Sequence, residues 1–284
     1  MYGHVDELTG VGNTAIARPD VNPDRNLTID ENQCKQHSAI KSILLHLIPG
    51  IPIIAGLFLF SLPFFSKLLG IAVELRVFLG FTLSILFTLI PVELGIIFYA
   101  GKKLNGKLSL KSVISFTEKS SLKSYLLFVP LLLVYAIIMF VFVSPLFTPS
   151  ITEALFAWYP QEYNLQNLWS NPGDLSGYAG IYLLMGLFIL INGVLGPIVE
   201  ELYFRGYLLP RMNGYAGRWA PALNITLFSL YHFFSPWENP IRIIAFLPWG
   251  YLVWKKRDIR FSIFIHVLMN TGNGIMMLML ILAR

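Results

Sequence analysis

Charge and cysteine are what this sequence has least of. Charged residues make up 13% of its 284 positions, where an ordinary soluble domain carries about 25%. There is one cysteine, Cys34, which excludes an internal disulfide framework and any multi-cysteine metal site. Gly-x-Ser-x-Gly is absent and Cys34 lies in a polar tail, so a serine or cysteine nucleophile has no motif support. No internal repeat and no low-complexity segment occurs. No apolar stretch lies near the N-terminus, so no cleavable leader is expected.

Hydrocarbon takes up the difference. Hydrophobic residues are 55% of the chain, the mean hydropathy is +0.63, and the apolar residues gather into runs close to the ~20 needed to cross a bilayer. The runs are Ser42–Phe65, Val77–Tyr99, Tyr125–Phe147, Tyr178–Leu209, Ala220–Phe234, Ile241–Trp254 and Ser262–Ala283. The fifth and sixth are short and fit either tilted spans or a hairpin that does not fully cross. The expected fold class is therefore all-α: a polytopic membrane helical bundle of about seven (six to eight) transmembrane helices. Three regions are expected: a flexible cytosolic tail over 1–40, N-terminal membrane helices with an outer amphipathic loop over 41–177, and a functional core over 178–284.

Of the 21 Lys and Arg, 17 fall in alternate connecting segments and 4 in the others. The positive-inside bias then puts the N-terminus in the cytosol. The net charge of +5 belongs to these loops and not to a nucleic-acid face, so the expected partners are the lipid bilayer and a membrane-associated peptide or protein. The connection Phe147–Tyr178 has no Lys or Arg but carries Glu153, Glu162 and Asp174 with Trp158, Tyr159, Tyr163 and Trp169. That mixture suits the outer headgroup zone, with a short amphipathic helix. Asn26-Leu27-Thr28 fits a glycosylation sequon, as does much random sequence. Pro91, Pro130, Pro197 and Pro248 fall inside apolar runs, where they are expected to kink helices.

Three hydrophobic runs also carry polar groups that lipid does not favour, each costing about 2.5–3.5 kcal/mol at a helix centre if charged. The fourth has Glu200, Glu201 and Arg205. Glu201 and Arg205 are four apart with the acid first, the favourable order for a helical ion pair. Glu200 is left as the unpaired carboxylate, and at 100° from Glu201 the two are not expected to share one partner. The fifth run has Phe228 and His232 one turn apart, and the last has His266 and Asn270. A carboxylate can take a proton from water while imidazoles and an amide hold that water and stabilise an oxyanion. The same set also resembles a two-histidine, one-carboxylate metal site. Either version is hydrolytic. His46 and Glu93 read as structural or interfacial, and Asn192 and Asn224 as helix–helix hydrogen-bond groups.

The ordered trio resembles the CPBP (Abi) intramembrane proteases, which include the type II CAAX prenyl endopeptidases. Their Glu-Glu-x-x-x-Arg is matched by Glu200 to Arg205, their Phe-x-x-x-His by Phe228 to His232, and their His with Asn or Asp four residues on by His266 and Asn270. The resemblance covers Tyr178–Ala283. It implies a peptidase in which Glu200 activates water, His232, His266 and Asn270 position it or stabilise the tetrahedral intermediate, and Glu201 and Arg205 organise the site. Members have been described both as metal-free and as metal-dependent. The cofactor is thus none or one divalent metal such as zinc, on Glu200, His232 and His266. The compact core and polar tail suggest a multi-pass protein of a bacterial cell membrane, for which prenyl substrates are not expected. Two other functions fit the same residues: a non-catalytic bacteriocin-immunity or scaffold protein, and an ion-coupled transporter.

Overall fold

The computed structural model describes residues 34–165, 175, 177, 178 and 180–283. The sequon at Asn26, most of the expected tail, Trp169 and Asp174 lie outside the described residues. Among the described residues the chain is helical with no strand, and Thr117 and Asp258 form an isolated bridge. Five stretches are long and apolar enough to cross a membrane: Ala39–Phe60, Val73–Asn105, Leu122–Phe156, Ile181–Leu230 and Arg260–Leu282. The first is α1 (Ala39–Leu47) and α2 (Gly50–Phe60), parted at Pro49, with Ser38 capping α1 through the Lys41 amide. The short helix α3 (Pro63–Leu68) follows it.

The fourth stretch holds two of the predicted runs. The fifth run is α11 (Ala220–Leu230), whose 11 residues rise only about 16 Å, half of a hydrocarbon core of about 30 Å. The sixth is α12 (Asn239–Lys256), an 18-residue helix outside the five. The two helices are joined through the short connection 231–238. After Phe147, α7 (Ser144–Phe156) runs on and a 3-10 turn covers Gln161–Tyr163, while 166–174, where the short amphipathic helix could lie, is outside the described residues.

Proline shapes the long spans in one recurring way. Four π-helical turns occur among the described residues: Ile85–Leu89, Ile138–Val143, Ile189–Leu195 and Leu202–Leu208. Each ends two residues before a proline: Pro91, Pro145, Pro197 and Pro210. Proline has no N–H for the turn before it and its ring crowds the carbonyl four residues back, so the chain takes a wider turn and continues. The first π turn joins α4 (Arg76–Ser84) to α5 (Ile90–Asn105), and the second joins α6 (Leu122–Ile137) to α7. The third follows α8 (Ile181–Phe188) and leads into α9 (Gly196–Glu201); the fourth follows α9 and is succeeded by the short α10 (Asn213–Ala216).

Carbonyls around the last two π turns take tertiary partners. Asn192 O accepts from Asn270 Nδ2 and Gly193 O from Thr271 Oγ1, both at 3.1 Å, which ties α8 to α13 (Arg260–Leu282). Phe204 O accepts from Asn224 Nδ2 at 3.0 Å, and Gly206 O from the Ser115 amide at 2.8 Å.

Ser115 belongs to the connection 106–121, which lashes one end of the bundle together. Phe116 O accepts from the Ile259 amide and Arg257 O from the Glu118 amide. Asp258, fully buried in the turn between α12 and α13, accepts from the Ser120 amide, from Tyr125 Oη, and from Arg260 N and Nε at 3.1 and 2.6 Å. Burial alone would push this carboxyl up, but the bonds from Arg260, Tyr125 and the two amides prevail and hold it below the usual carboxylate range. A depressed carboxylate stabilises the fold above its unfolded pKa of about 3.9 and loses that contribution as pH falls through the folded value. Asp258→Asn is expected to lower the melting midpoint in detergent at pH 7. It should also remove part of the further drop that the unaltered protein shows below about pH 4.

Candidate active site

One turn of α-helix between two π turns carries the acids. Glu201 and Arg205 are 0% exposed and Glu200 6%. Arg205 Nε lies 3.3 Å from Glu201 Oε2, and its guanidinium sits 4.0 Å above the Phe228 ring centroid and 5.9 Å from that of Trp249. The helix of the motif thus supplies both the ion pair and the free acid, and the aromatic faces exclude water from the cation.

α13 brings His266 to both acids. Its Nδ1 is 2.9 Å from Glu201 Oε1, and its Nε2 is 3.8 Å from Glu200 Oε2. This corrects the expectation that the two acids have no common partner. An angular offset of 100° bars one point-like donor from serving both, but an imidazole has nitrogens on opposite edges. Glu201, beside Arg205, is the acceptor, so Nδ1 carries the hydrogen.

His232 lies at the end of α11. Its Nδ1 donates to Phe228 O at 2.8 Å, which leaves Nε2 with a lone pair. The His232 ring centroid is 4.2 Å from that of Tyr231 and 5.0 Å from that of Phe228, and Phe228 is 6.1 Å from His266. The phenylalanine of the second motif is thus the wall that both imidazoles and the guanidinium share. Asn270 stands one turn beyond His266, with its amide nitrogen on Asn192 O. The structure therefore brings Glu200, Glu201, Arg205 and His266 into contact, sets His232 against their aromatic wall, and fastens Asn270 to the π turn.

Sequence reasoning missed four participants. Tyr231, 1% exposed, donates its hydroxyl to Glu200 Oε1. Trp249 stacks on Phe246 and lies 5.8 Å from the His266 ring. Arg242, counted in the sequence as a loop cation, is buried in the first turn of α12 on Glu238, Asn239 and Ser235, where its charge reaches Glu200 and His232. Glu93, on α5, is fully buried, and neither of its oxygens has a hydrogen-bond partner among the described residues. The charges of Glu200, Glu201 and Arg205 all reach it. An acid inside an apolar run was the available signal for Glu93; adjacency to a motif residue was the signal for Tyr231. His46 and Asn224 are a helix–helix tie: His46 donates from Nδ1 to Ser42 O at 2.6 Å and receives Asn224 Nδ2 on Nε2 at 2.9 Å.

Among the described residues no three His, Cys, Asp or Glu side chains are grouped to hold a metal ion. As placed, Glu200, His232 and His266 do not fit one, and no step below passes through a metal. The arrangement offers a buried carboxylate as base, a histidine held by a second carboxylate, and a neutral histidine with an open acceptor. That combination suits proton abstraction from water.

Comparison with curated proteins and with solved structures finds no match. The stretch 181–272, which holds all three motifs from Glu200 to Asn270, matches the family model described as Type II CAAX prenyl endopeptidase Rce1-like, the family that those motifs resemble.

Proposed function

We propose that this protein is an intramembrane endopeptidase that hydrolyses a peptide bond of a membrane-associated protein or peptide. The observation that carries this reading is His266 held between Glu200 and Glu201 in a buried site, within the segment that matches a peptidase family. Glu200 takes a proton from water as the oxygen attacks the scissile carbonyl. His232 Nε2, an acceptor, holds the second hydrogen of that water. Glu201 and Arg205 fix His266, whose Nε2 faces Glu200 and limits where its carboxylate can sit. When the C–N bond breaks, the proton on Glu200 passes to the leaving amine.

The test uses detergent-purified protein and two fluorogenic probes. One carries a prenylated cysteine fourth from its C-terminus; the other is a single-span peptide with no prenyl group. Cleavage of at least one is expected, and Glu200→Ala and His232→Ala should each lower turnover about 100-fold or more. Undiminished turnover in both variants, or cleavage of neither probe by the unaltered protein, would overturn the proposal.

A further inference from the structure

Resting on that reading, the hydrogen-bond assignments leave both imidazoles without a hydrogen for the oxyanion. A tetrahedral intermediate needs a donor aimed at its oxyanion. The side chains that the sequence offers for this are His232, His266 and Asn270. His232 has its one ring hydrogen on Phe228 O and presents a lone pair to the site. His266 has its Nδ1 hydrogen on Glu201. The Asn270 amide has one of its two hydrogens on Asn192 O. In their neutral forms, neither imidazole can donate to a new negative charge beside Glu200.

One O–H does lie there. Tyr231 ends α11, is 1% exposed, and donates to Glu200 Oε1. Its ring is clamped by Phe204, Phe228 and His232, with centroids 4.9, 5.4 and 4.2 Å away. The ring is packed on three sides, while the phenolic hydrogen can still reorient about the C–O bond. A water poised on Glu200 attacks a carbonyl about 3–3.5 Å from it, so a hydroxyl in contact with Glu200 is one group-width from the oxygen that becomes charged.

We infer that Tyr231 is a catalytic residue, a hydrogen-bond donor to the oxyanion. Before attack its hydroxyl orients the Glu200 carboxylate. During attack the water oxygen bonds to the carbonyl carbon, the water proton goes to Glu200, and the carbonyl π pair moves onto oxygen. Protonation of Glu200 weakens it as an acceptor, and the Tyr231 O–H turns to the new oxyanion without giving up its proton. On collapse the oxyanion pair re-forms the carbonyl, the C–N bond breaks, and the proton on Glu200 leaves with the amine. One residue thus serves base and oxyanion in turn, and the transfer between them is driven by the proton movement itself.

The experiment compares the unaltered protein, Tyr231→Phe and Glu200→Ala on whichever of the two probes is cleaved. It adds binding of a phosphinate analogue of that probe, whose tetrahedral oxygens mimic the intermediate. Tyr231→Phe keeps the packed ring, so an unchanged melting midpoint in detergent is expected. Its kcat should fall about 100-fold or more with KM unchanged, and the phosphinate should bind more weakly by a comparable factor. A purely structural tyrosine would move the midpoint, and kcat and phosphinate binding only with it. Tyr231→Phe at full rate, or with slowed turnover but undiminished phosphinate affinity, overturns the assignment while Glu200→Ala stays inactive. Full activity in Glu200→Ala would instead overturn the proposed function.

Discussion

Arg205→Met is expected to destabilise the protein by about 3–5 kcal/mol, the range for removing one partner of a buried ion pair. Methionine keeps most of the volume and strips the charge. Three buried carboxylates lie within its reach, Glu93, Glu200 and Glu201, and two of the three are fully inaccessible. None of the Arg205 nitrogens has a hydrogen bond of good geometry among the described residues, so its worth to the fold is charge and ring contact more than directed bonding. Arg205→Lys should recover only part of the loss, because an ammonium has neither the flat face that rests on Phe228 at 4.0 Å nor the guanidinium's weak hydration. Removing an acid together with the cation should help: Glu201→Gln with Arg205→Met is expected to be more stable than the sum of the single effects. Unfolding titrations in detergent micelles measure all three. A loss for Arg205→Met below about 1 kcal/mol, the range of an exposed ion pair, would show that the guanidinium does not neutralise the cluster.

That cluster marks where the sequence stops being readable. The helical membrane class follows from run length and missing charge, and the order of Glu201 before Arg205 announces their pairing. The facing of each helix is harder. In a soluble bundle the apolar stripe points inward, but here the solvent is hydrocarbon, and α6 presents Leu126, Leu127, Leu131 and Val134 outward with little to separate them from buried neighbours. Only polar residues mark the inside, and one polar residue does not name its partner. Glu93 therefore reads as structural until α5 is seen packed beside α9. Tyr231 is invisible for the opposite reason, since a tyrosine beside a membrane interface needs no explanation. The π turns were legible in principle: an X-Pro two residues past each of them was present in the sequence, and kinks were expected at Pro91 and Pro197. That Pro197 frees a backbone carbonyl is also readable from sequence; what the sequence does not convey is that Asn270 would be drawn to a carbonyl of the turn before it.

The adjacent acids should separate cleanly by experiment. Glu200→Gln is expected to lower turnover about 1,000-fold or more, since an amide cannot take the proton from water. It should leave the melting midpoint unchanged or raised, because one of three crowded buried carboxyl groups is replaced by a neutral amide and Tyr231 can still donate to the amide oxygen. Glu201→Gln is expected to act on the fold first. It removes the charge closest to Arg205 and weakens the 2.9 Å bond that sets the His266 hydrogen on Nδ1. With His266 free to turn, Glu200 loses the imidazole that faces it at 3.8 Å. A loss of about 3 kcal/mol in stability with a smaller fall in kcat than for Glu200→Gln is the expected pattern. Unfolding and turnover measured on the same two preparations decide it. If Glu201→Gln proves as stable as the parent and the less active of the two, the roles of base and support belong the other way round.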